Sequence, residues 1–252
     1  MATKKPVSKA LVKWDEEFAN LAKASTKGMD LPTAKWISIK SGVLSFGGAK
    51  VPGNELRTVI LGWTYENQYY DQAYSPDTPQ SPGCYAFGSA PDEMSPHGNA
   101  PRPQSDSCSG CPMNEFGSAD QGKGKACKNV VRLALIAEND LEDISSAEIV
   151  YLKVPVMSVK NFVVYAKKTV AQTLSRPYWA VVTNISVTPD ARSQFSVNFE
   201  VGDLVEDTNL FSPLKDLWED TMEGIAFPYA ILEKQEKPKQ KAVAKPNKFA
   251  RK

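Results

Sequence analysis

Residues 56–65, LRTVILGWTY, are the clearest strand in the sequence, and the rest of the predicted fold is built around it. β-Branched and aromatic residues dominate it, as is typical of a strand packed into a sheet. Similar but weaker patterns predict strands at about residues 36–46, 129–137, 149–156, 179–187 and 195–201. Helical spacing of apolar residues predicts helices at about 9–25, 159–174 and 213–223, with Ser212 as the N-cap of the last.

This order of elements predicts an α+β fold that is mainly β. Three strands, a helix and two strands are the order of an OB-fold barrel, although a generic α+β sheet would give much the same pattern. We expect a leader and N-terminal helix at residues 1–30 and an OB-like core at 31–232 that carries a C-terminal helix. A disordered basic tail is expected at 233–252. A loop insertion at about 71–128 interrupts the core, and it is rich in Pro, Gly, Ser and Asn.

The composition bounds the class of protein. The chain has 252 residues, of which 42% are hydrophobic, enough for a core of one sizeable domain. It has no apolar run of the roughly 18 residues that a membrane-spanning helix needs, and residues 1–13 lack the apolar centre of a secretory signal. We therefore expect an intracellular protein without a membrane partner.

The formal net charge of +1 is a sum of opposed blocks. Residues 1–13 carry four lysines, and residues 233–252 carry seven lysines and one arginine against two glutamates. The body between these ends has a net charge of −9. A body of that sign does not attract nucleic acid by bulk charge, so any such binding must be local.

All four cysteines, Cys84, Cys108, Cys111 and Cys127, lie in or beside the inserted loop. A Cys-x-x-Cys pair can bind one metal ion from a single turn, and four thiolates complete a closed tetrahedral zinc site. Such a structural zinc would order a loop that has no apolar core of its own. A redox pair, unrelated free thiols, and His97 as fourth ligand in place of Cys84 are the alternatives.

The same segment gives no sign of catalysis. A catalytic zinc needs an open coordination position and a nearby general base. His97 is followed by Gly98 and Asn99, so the His-x-Glu signature of zinc deaminases is absent. We therefore expect a protein that is not an enzyme.

Local patches of lysine and tyrosine indicate nucleic acid. Basic residues bind phosphates, and exposed aromatic rings stack on single-stranded bases, although ordinary solvated faces would show the same residues. The predicted phosphate contacts are Lys123, Lys125, Lys128, Arg132, Lys160, Lys167 and Lys168. The predicted stacking residues are Tyr65, Tyr69, Tyr70 and Tyr74.

The cysteine segment resembles a known family. Residues 107–118, SCSGCPMNEFGS, followed by GKGKACK at 122–128, are similar to a cysteine motif of tailed-bacteriophage proteins that bind single-stranded DNA. The close resemblance covers about residues 84–135. It implies a protein of the host cytoplasm that coats single strands in phage DNA replication, recombination or repair, with replication or recombination proteins as partners. Many such proteins end in an acidic tail, whereas here the tail is basic and the acidic stretch lies at 203–223.

Two other functions remain open from the sequence. The acidic stretch could dock the chain on a host nucleic-acid enzyme, in which case the basic ends would only aid solubility. A zinc enzyme acting on nucleic acid would require His97 or a carboxylate at the metal.

Overall fold

The computed structural model describes residue 18 and residues 35–71, 80–120 and 122–229. The chain divides into two units, Met1–Lys35 and Trp36–Lys252. Nearly all described residues belong to the second. The predicted N-terminal helix, Tyr74 and the basic tail therefore lie outside the described residues, apart from Phe18.

The described chain is mixed α+β and mainly β, as the sequence predicts. The strands are β1 Lys35–Lys40, β2 Val43–Phe46, β3 Ala49–Lys50, β4 Glu55–Tyr69, β5 Cys84–Gly88, β6 Lys128–Ala137, β7 Val150–Val154, β8 Val181–Asp190 and β9 Gln194–Leu204. Helix α1, Val159–Val164, continues into a π-helix at Tyr165–Thr173, and α2 spans Phe211–Gly224. Short 3-10 turns occupy Pro52–Asn54, Pro91–Glu93, Pro112–Asn114, Glu138–Glu142, Ile144–Ser146, Val156–Ser158, Tyr178–Ala180 and Thr208–Leu210.

The strands form one strongly curled sheet, shaped like half a barrel. Its order is β3-β2-β1-β7-β6-β4-β8-β9, and β5 also pairs with β4. The long strand β4 is the centre of the sheet. It pairs with β6 along most of its length, with β8 through residues 55–59 and with β5 through residues 65–69, all antiparallel. The pairing with β6 shifts register between Ile60 and Gly62, as at a β-bulge, which bends a strand.

Hydrophobic side chains cover both faces of this sheet. Ile60 belongs to a cluster that includes Phe162 and Tyr165 of α1 and its π-helical continuation. Its neighbours Val59 and Leu61 belong to a second cluster, which includes Leu214 of α2. Successive residues of a strand point to opposite faces, so α1 and α2 pack on opposite sides of the sheet.

Two local predictions need correction. Strand β4 runs four residues beyond the predicted end, to Tyr69, because Glu66, Asn67 and Gln68 pair with β5 and β6. Helix α2 begins at Phe211 with Leu210 as its N-cap, so Ser212 is not the cap. Pro213 is tolerated as the third helical residue because the first N–H groups of a helix have no partner within it. No described helix is long and apolar enough to cross a membrane.

Candidate metal centre and nucleic-acid interface

The segment between β5 and β6, residues 89–127, is called the cysteine loop below. Backbone hydrogen bonds fix its shape around the Cys-x-x-Cys turn. The Asn114 side chain donates to the Cys108 carbonyl oxygen at 2.9 Å, and the Asn114 backbone donates to that of Cys111 at 2.8 Å. The turn passes through Gly110, whose φ of 74° suits glycine. Cys127 donates its N–H to Met113 at 2.8 Å, which brings the distant end of the loop back to this turn.

All four cysteines line one small cavity of about 20 Å³. Cys108, Cys111 and Cys127 are buried, Cys84 is half-buried, and none forms a disulfide. A cavity of this size has room for about one atom-sized occupant. The four thiols therefore come from three separate segments to the wall of the same space.

Polar groups beside three of the sulfur atoms favour their thiolate forms. Burial is the larger effect and raises each pKa, but the Gln104 backbone lowers that of Cys84, the Gln68 backbone that of Cys127 and the Asn67 side chain that of Cys108. The Asn67 Nδ2 is buried and has no hydrogen-bond partner among the described residues. Polar groups of this kind are typical of the second shell of metal–thiolate sites.

Burial and mutual repulsion oppose the ionisation of these thiols. Burial raises the pKa of Cys84 and Cys108, and repulsion between neighbouring thiolates adds to it. For Cys127, burial first and then the other three thiols raise the pKa to about 12. A bound cation reverses this effect, because it attracts the thiolate form.

The described residues contain no group of three or more His, Cys, Asp or Glu side chains that could already hold a metal ion. The thiols thus line a common cavity without being drawn together around one point. Holding a metal ion would therefore require the four thiols to close around it.

His97 lies outside this set. The cavity wall contains Cys84 and Pro96 but not His97. The His97 ring stacks on Tyr85 with centroids 5.3 Å apart, and its Nδ1 accepts a hydrogen bond from the Asn99 backbone at 3.1 Å. This geometry favours Cys84 over His97 as the fourth member of the set.

The cysteine loop and the first residue of β6 present a basic aromatic surface to solvent, called the Phe116 surface and made of Phe116, Lys123, Lys125 and Lys128. Phe116 is 82% exposed. The Lys125 Nζ lies 5.1 Å from the centroid of its ring, and the Lys128 Nζ donates to the Lys125 carbonyl oxygen at 2.8 Å. A bond from the Gly117 N–H to the Gly124 oxygen, 2.9 Å, brings the segment containing Lys123 beside Phe116.

Arg132, the fourth basic residue of that sequence patch, is elsewhere. It is fully buried, and its Nε donates to the equally buried Glu66 at 2.8 Å. Its Nη1 donates to the carbonyl oxygens of Ile225 and Phe227 at 3.0 and 3.1 Å. Because these partners occupy the guanidinium inside the protein, we leave Arg132 out of the proposed interface.

Aromatic rings surround this ion pair. The Arg132 Cζ lies 4.2 Å from the Phe227 ring centroid and 4.4 Å from that of Phe87, with Trp36 and Tyr229 farther out. We call Glu66, Arg132, Lys153 and Tyr229, with the rings of Trp36, Phe87 and Phe227, the cation–aromatic cluster. Cation–π contacts stabilise a desolvated guanidinium, so these rings stabilise the buried position of the Arg132 side chain.

Lys153 and Tyr229 form the outer part of this cluster. The Lys153 Nζ lies 3.3 Å from Glu66 Oε1 and donates to the Tyr229 hydroxyl, which in turn donates to Glu66. Burial lowers the pKa of Lys153, against the opposing effect of Glu66. Burial and the Glu66 charge raise the pKa of Tyr229.

The remaining predicted contacts are scattered. Lys160, Lys167 and Lys168 are exposed on α1 and its π-helical continuation. Tyr65 is half-buried against the core, Tyr69 lines the cysteine cavity, and Tyr70 is exposed but hydrogen-bonds Gln68. The structure therefore brings together Lys123, Lys125 and Lys128, whereas the tyrosines do not form one exposed row.

No family model matches the chain, and no curated protein or solved structure matches it. The resemblance to phage single-stranded-DNA-binding proteins therefore remains a prediction from the motif residues.

Sequence reasoning missed Phe116 and Glu66. Phe116 stands alone in a polar loop close to Gly117, Asn114 and Pro112, and that isolation was the available signal for exposure. Glu66 follows an apolar strand and looked like its polar end. Nothing local in the sequence indicates that its partner is Arg132, which lies 66 residues away.

Proposed function

We propose that this protein binds single-stranded nucleic acid without catalysis, through the Phe116 surface. The observation that carries the proposal is the exposure of Phe116, 82%, beside lysines on a loop that is tied down by its own hydrogen bonds. An exposed aromatic ring held on a fixed loop offers a face on which an unpaired base can stack.

The chemistry of this surface suits a single strand. A base exposes both of its flat faces only when it is unpaired, so an exposed ring such as Phe116 favours single strands over duplex. The ammonium groups of Lys123, Lys125 and Lys128 are within the reach of phosphates on either side of a stacked base. Binding by stacking and point charges is tolerant of sequence.

We further propose that Cys84, Cys108, Cys111 and Cys127 hold a structural zinc ion. The support is their shared cavity, the polar groups that favour the thiolate forms of Cys84, Cys108 and Cys127, and the absence of a disulfide among these four described cysteines. When bound, the ion supplies a closed four-thiolate crosslink and a positive charge next to the lysines. The chain's own part is to bring the two ends of the cysteine loop together, so that Phe116 is presented on a fixed support.

We also propose that the sheet is an OB-type barrel and that the chain acts on phage DNA. The half-barrel is the coarse shape expected of an OB-type barrel, and such barrels bind single strands in several protein classes. By the phage resemblance, we propose DNA as the nucleic acid and replication, recombination or repair as the setting.

The function is tested by fluorescence anisotropy with a labelled oligothymidine and a duplex of the same length. The full chain should bind the single strand more tightly than the duplex, and its affinity should fall as salt rises. Phe116→Ala should weaken binding, whereas Phe46→Ala, which removes an exposed ring on β2, should not. Absence of binding at low salt, or tighter binding to duplex, would remove the proposal.

The metal is tested separately by elemental analysis of the purified protein. We expect one zinc per chain, absent from Cys111→Ser and retained in the matched variant Ser109→Ala, which alters an exposed residue of the same turn. A wild-type protein without bound metal would remove the zinc from the account and leave the Phe116 surface to be tested alone.

A further inference from the structure

Helices α1 and α2 carry opposite charges on the faces that they turn to solvent. On α1 and its π-helical continuation, the exposed charged residues are Lys160, Lys167 and Lys168. Among the ion pairs of the described residues, none involves these three lysines. This face therefore has positive charge with no described carboxylate to neutralise it.

Exposed apolar residues lie on this face and in the turn just before it. Met157 is 64% exposed, Val156 45% and Val164 41%. Lys160 and Val164 are four residues apart on α1, which places them on one side of it, and Val156 and Met157 belong to the 3-10 turn that precedes the helix. Phe162, Tyr165 and Val170 occupy the opposite, buried side. A stripe of lysines with an apolar strip between them suits an acidic partner better than bulk water.

The exposed face of α2 has the complementary charge. Asp216, Glu219, Asp220 and Glu223 recur at three- and four-residue spacing and are all exposed. The single lysine of the helix, Lys215, pairs with Glu219 at 2.7 Å. Four carboxylates and one ammonium leave an excess of three negative charges, the same number as the lysines of the other face.

The two faces cannot neutralise each other within one molecule. The helices pack on opposite sides of the sheet, α1 against the cluster of Ile60 and α2 against that of Val59 and Leu61. We propose that the basic face of α1 in one copy binds the acidic face of α2 in a second copy. This contact joins two different surfaces, so it repeats from copy to copy and arranges molecules in a row.

The inference goes beyond nucleic-acid binding and does not depend on it, because the contact forms between protein chains alone. It gives the three helix lysines a protein partner in place of the phosphate predicted from the sequence. On a long single strand, such a contact would make binding cooperative.

Sedimentation of the full chain without nucleic acid tests the proposal. At low salt, the wild type should self-associate with rising concentration, and ~1 M salt should abolish this because the screening length falls to ~3 Å. Reversing either face, with K160E/K167E/K168E or with D216K/E219K/E223K, should weaken association at least about tenfold. A mixture of the two reversed proteins should associate again, since each supplies the native face that the other lacks.

Two controls keep the result interpretable. Circular dichroism should give both reversed proteins the wild-type melting temperature, and M157S/V164S, which keeps all charges, should weaken association without abolishing it. A monomeric wild type at low salt and high concentration would overturn the inference. So would a mixture of folded reversed proteins that stays monomeric, or a lysine reversal that weakens binding to an oligonucleotide long enough for only one molecule.

Discussion

The cation–aromatic cluster and the Phe116 surface use the same kinds of residue in opposite ways. In the cluster, Arg132 is fully buried, Glu66 neutralises it, and the carbonyl oxygens of Ile225 and Phe227 accept hydrogen bonds from its Nη1. On the surface, Phe116 is 82% exposed, and the ammonium of Lys125 meets only an amide oxygen and the face of the ring among the described residues. The buried cation of the cluster has its counter-charge within the chain, whereas the ring and the lysines of the Phe116 surface are open to a ligand.

The role of a basic aromatic motif depends on whether its cation is buried. A buried cation must find its counter-charge inside the protein, since an unpaired buried charge is very costly. A cation at the surface has water and needs no partner, so a ligand can displace that water. Burial and the presence of a counter-charge, rather than residue type, therefore separate the structural set from the candidate binding set.

The largest effect should follow from breaking the buried pair. Arg132→Met leaves Glu66 in the interior with only Lys153 as counter-charge among the described residues, and we expect a loss of about 3 kcal/mol in the free energy of unfolding. Removing both charges, with E66Q/R132M, should recover much of that loss. Urea unfolding measures both. Equal losses in the single and double variants would show that the pair does not act as a unit.

The next effect concerns base stacking on the exposed ring. Phe116→Ala should weaken binding to a single strand by about 1–3 kcal/mol, the usual range for one stacked base. Its unfolding free energy should change by less than about 0.5 kcal/mol, because the ring is exposed. Anisotropy and urea unfolding measure the two quantities. A destabilised Phe116→Ala with unchanged affinity would place this ring among the structural ones.

A smaller effect should appear in the salt dependence of binding. K123Q/K128Q should reduce the slope of log affinity against log salt by about 0.7 for each phosphate that is no longer neutralised. Lys50→Gln, a change of an exposed lysine on β3, is the matched control and should leave the slope unchanged. If both variants give the same slope, Lys123 and Lys128 do not contact phosphates.

The smallest effect is a pH dependence that belongs to the cluster. Burial and Glu66 raise the folded-state pKa of Tyr229 above its ordinary value near 10, so unfolded chains lose this proton first. Tyr229 therefore favours the folded state at neutral pH, and this contribution is lost as the pH rises above 10. Burial lowers the folded-state pKa of Lys153, so its contribution to the free energy of unfolding changes with pH in the opposite direction. That change is complete above pH 10.5, the ordinary pKa of lysine.

The measurement is urea unfolding of wild type and Tyr229→Phe at pH 9 and pH 11. The decline in unfolding free energy between these values should be smaller in Tyr229→Phe, which has no proton to lose at this site. Identical declines would mean that the hydroxyl is not held by Glu66 in solution.

Much of the sheet was predictable because its strands carry their own signal. The strands at 129–137 and 179–187 follow from runs of β-branched residues, and the structure confirms both. The end of β4 was not predictable in the same way. Glu66, Asn67 and Gln68 look like solvent-exposed residues, yet β5 and β6 cover them on both edges. Their burial depends on partners far along the chain, which local periodicity does not show.

In the candidate site too, local features were predictable from the sequence, and features that depend on distant residues were not. The spacing of Cys108 and Cys111 predicted a shared turn, and the structure adds Cys84 and Cys127 to the wall of one cavity. Lys128 and Arg132 looked equivalent on strand β6, because alternation puts both on one face. One lies at the exposed start of the strand and the other beneath Phe227, a residue that sequence reasoning never connected to β6.

Photocrosslinking tests most directly whether a single strand binds at the Phe116 surface. An oligonucleotide containing 5-bromodeoxyuridine, crosslinked by light to the full chain and mapped by mass spectrometry, reports the aromatic residues that contact bases. We expect crosslinks within residues 112–128, centred on Phe116, and we expect them to disappear in Phe116→Ala. Crosslinks to Trp36, Phe87 or Phe227 instead would contradict it, because the cluster treated as structural would then be the binding site.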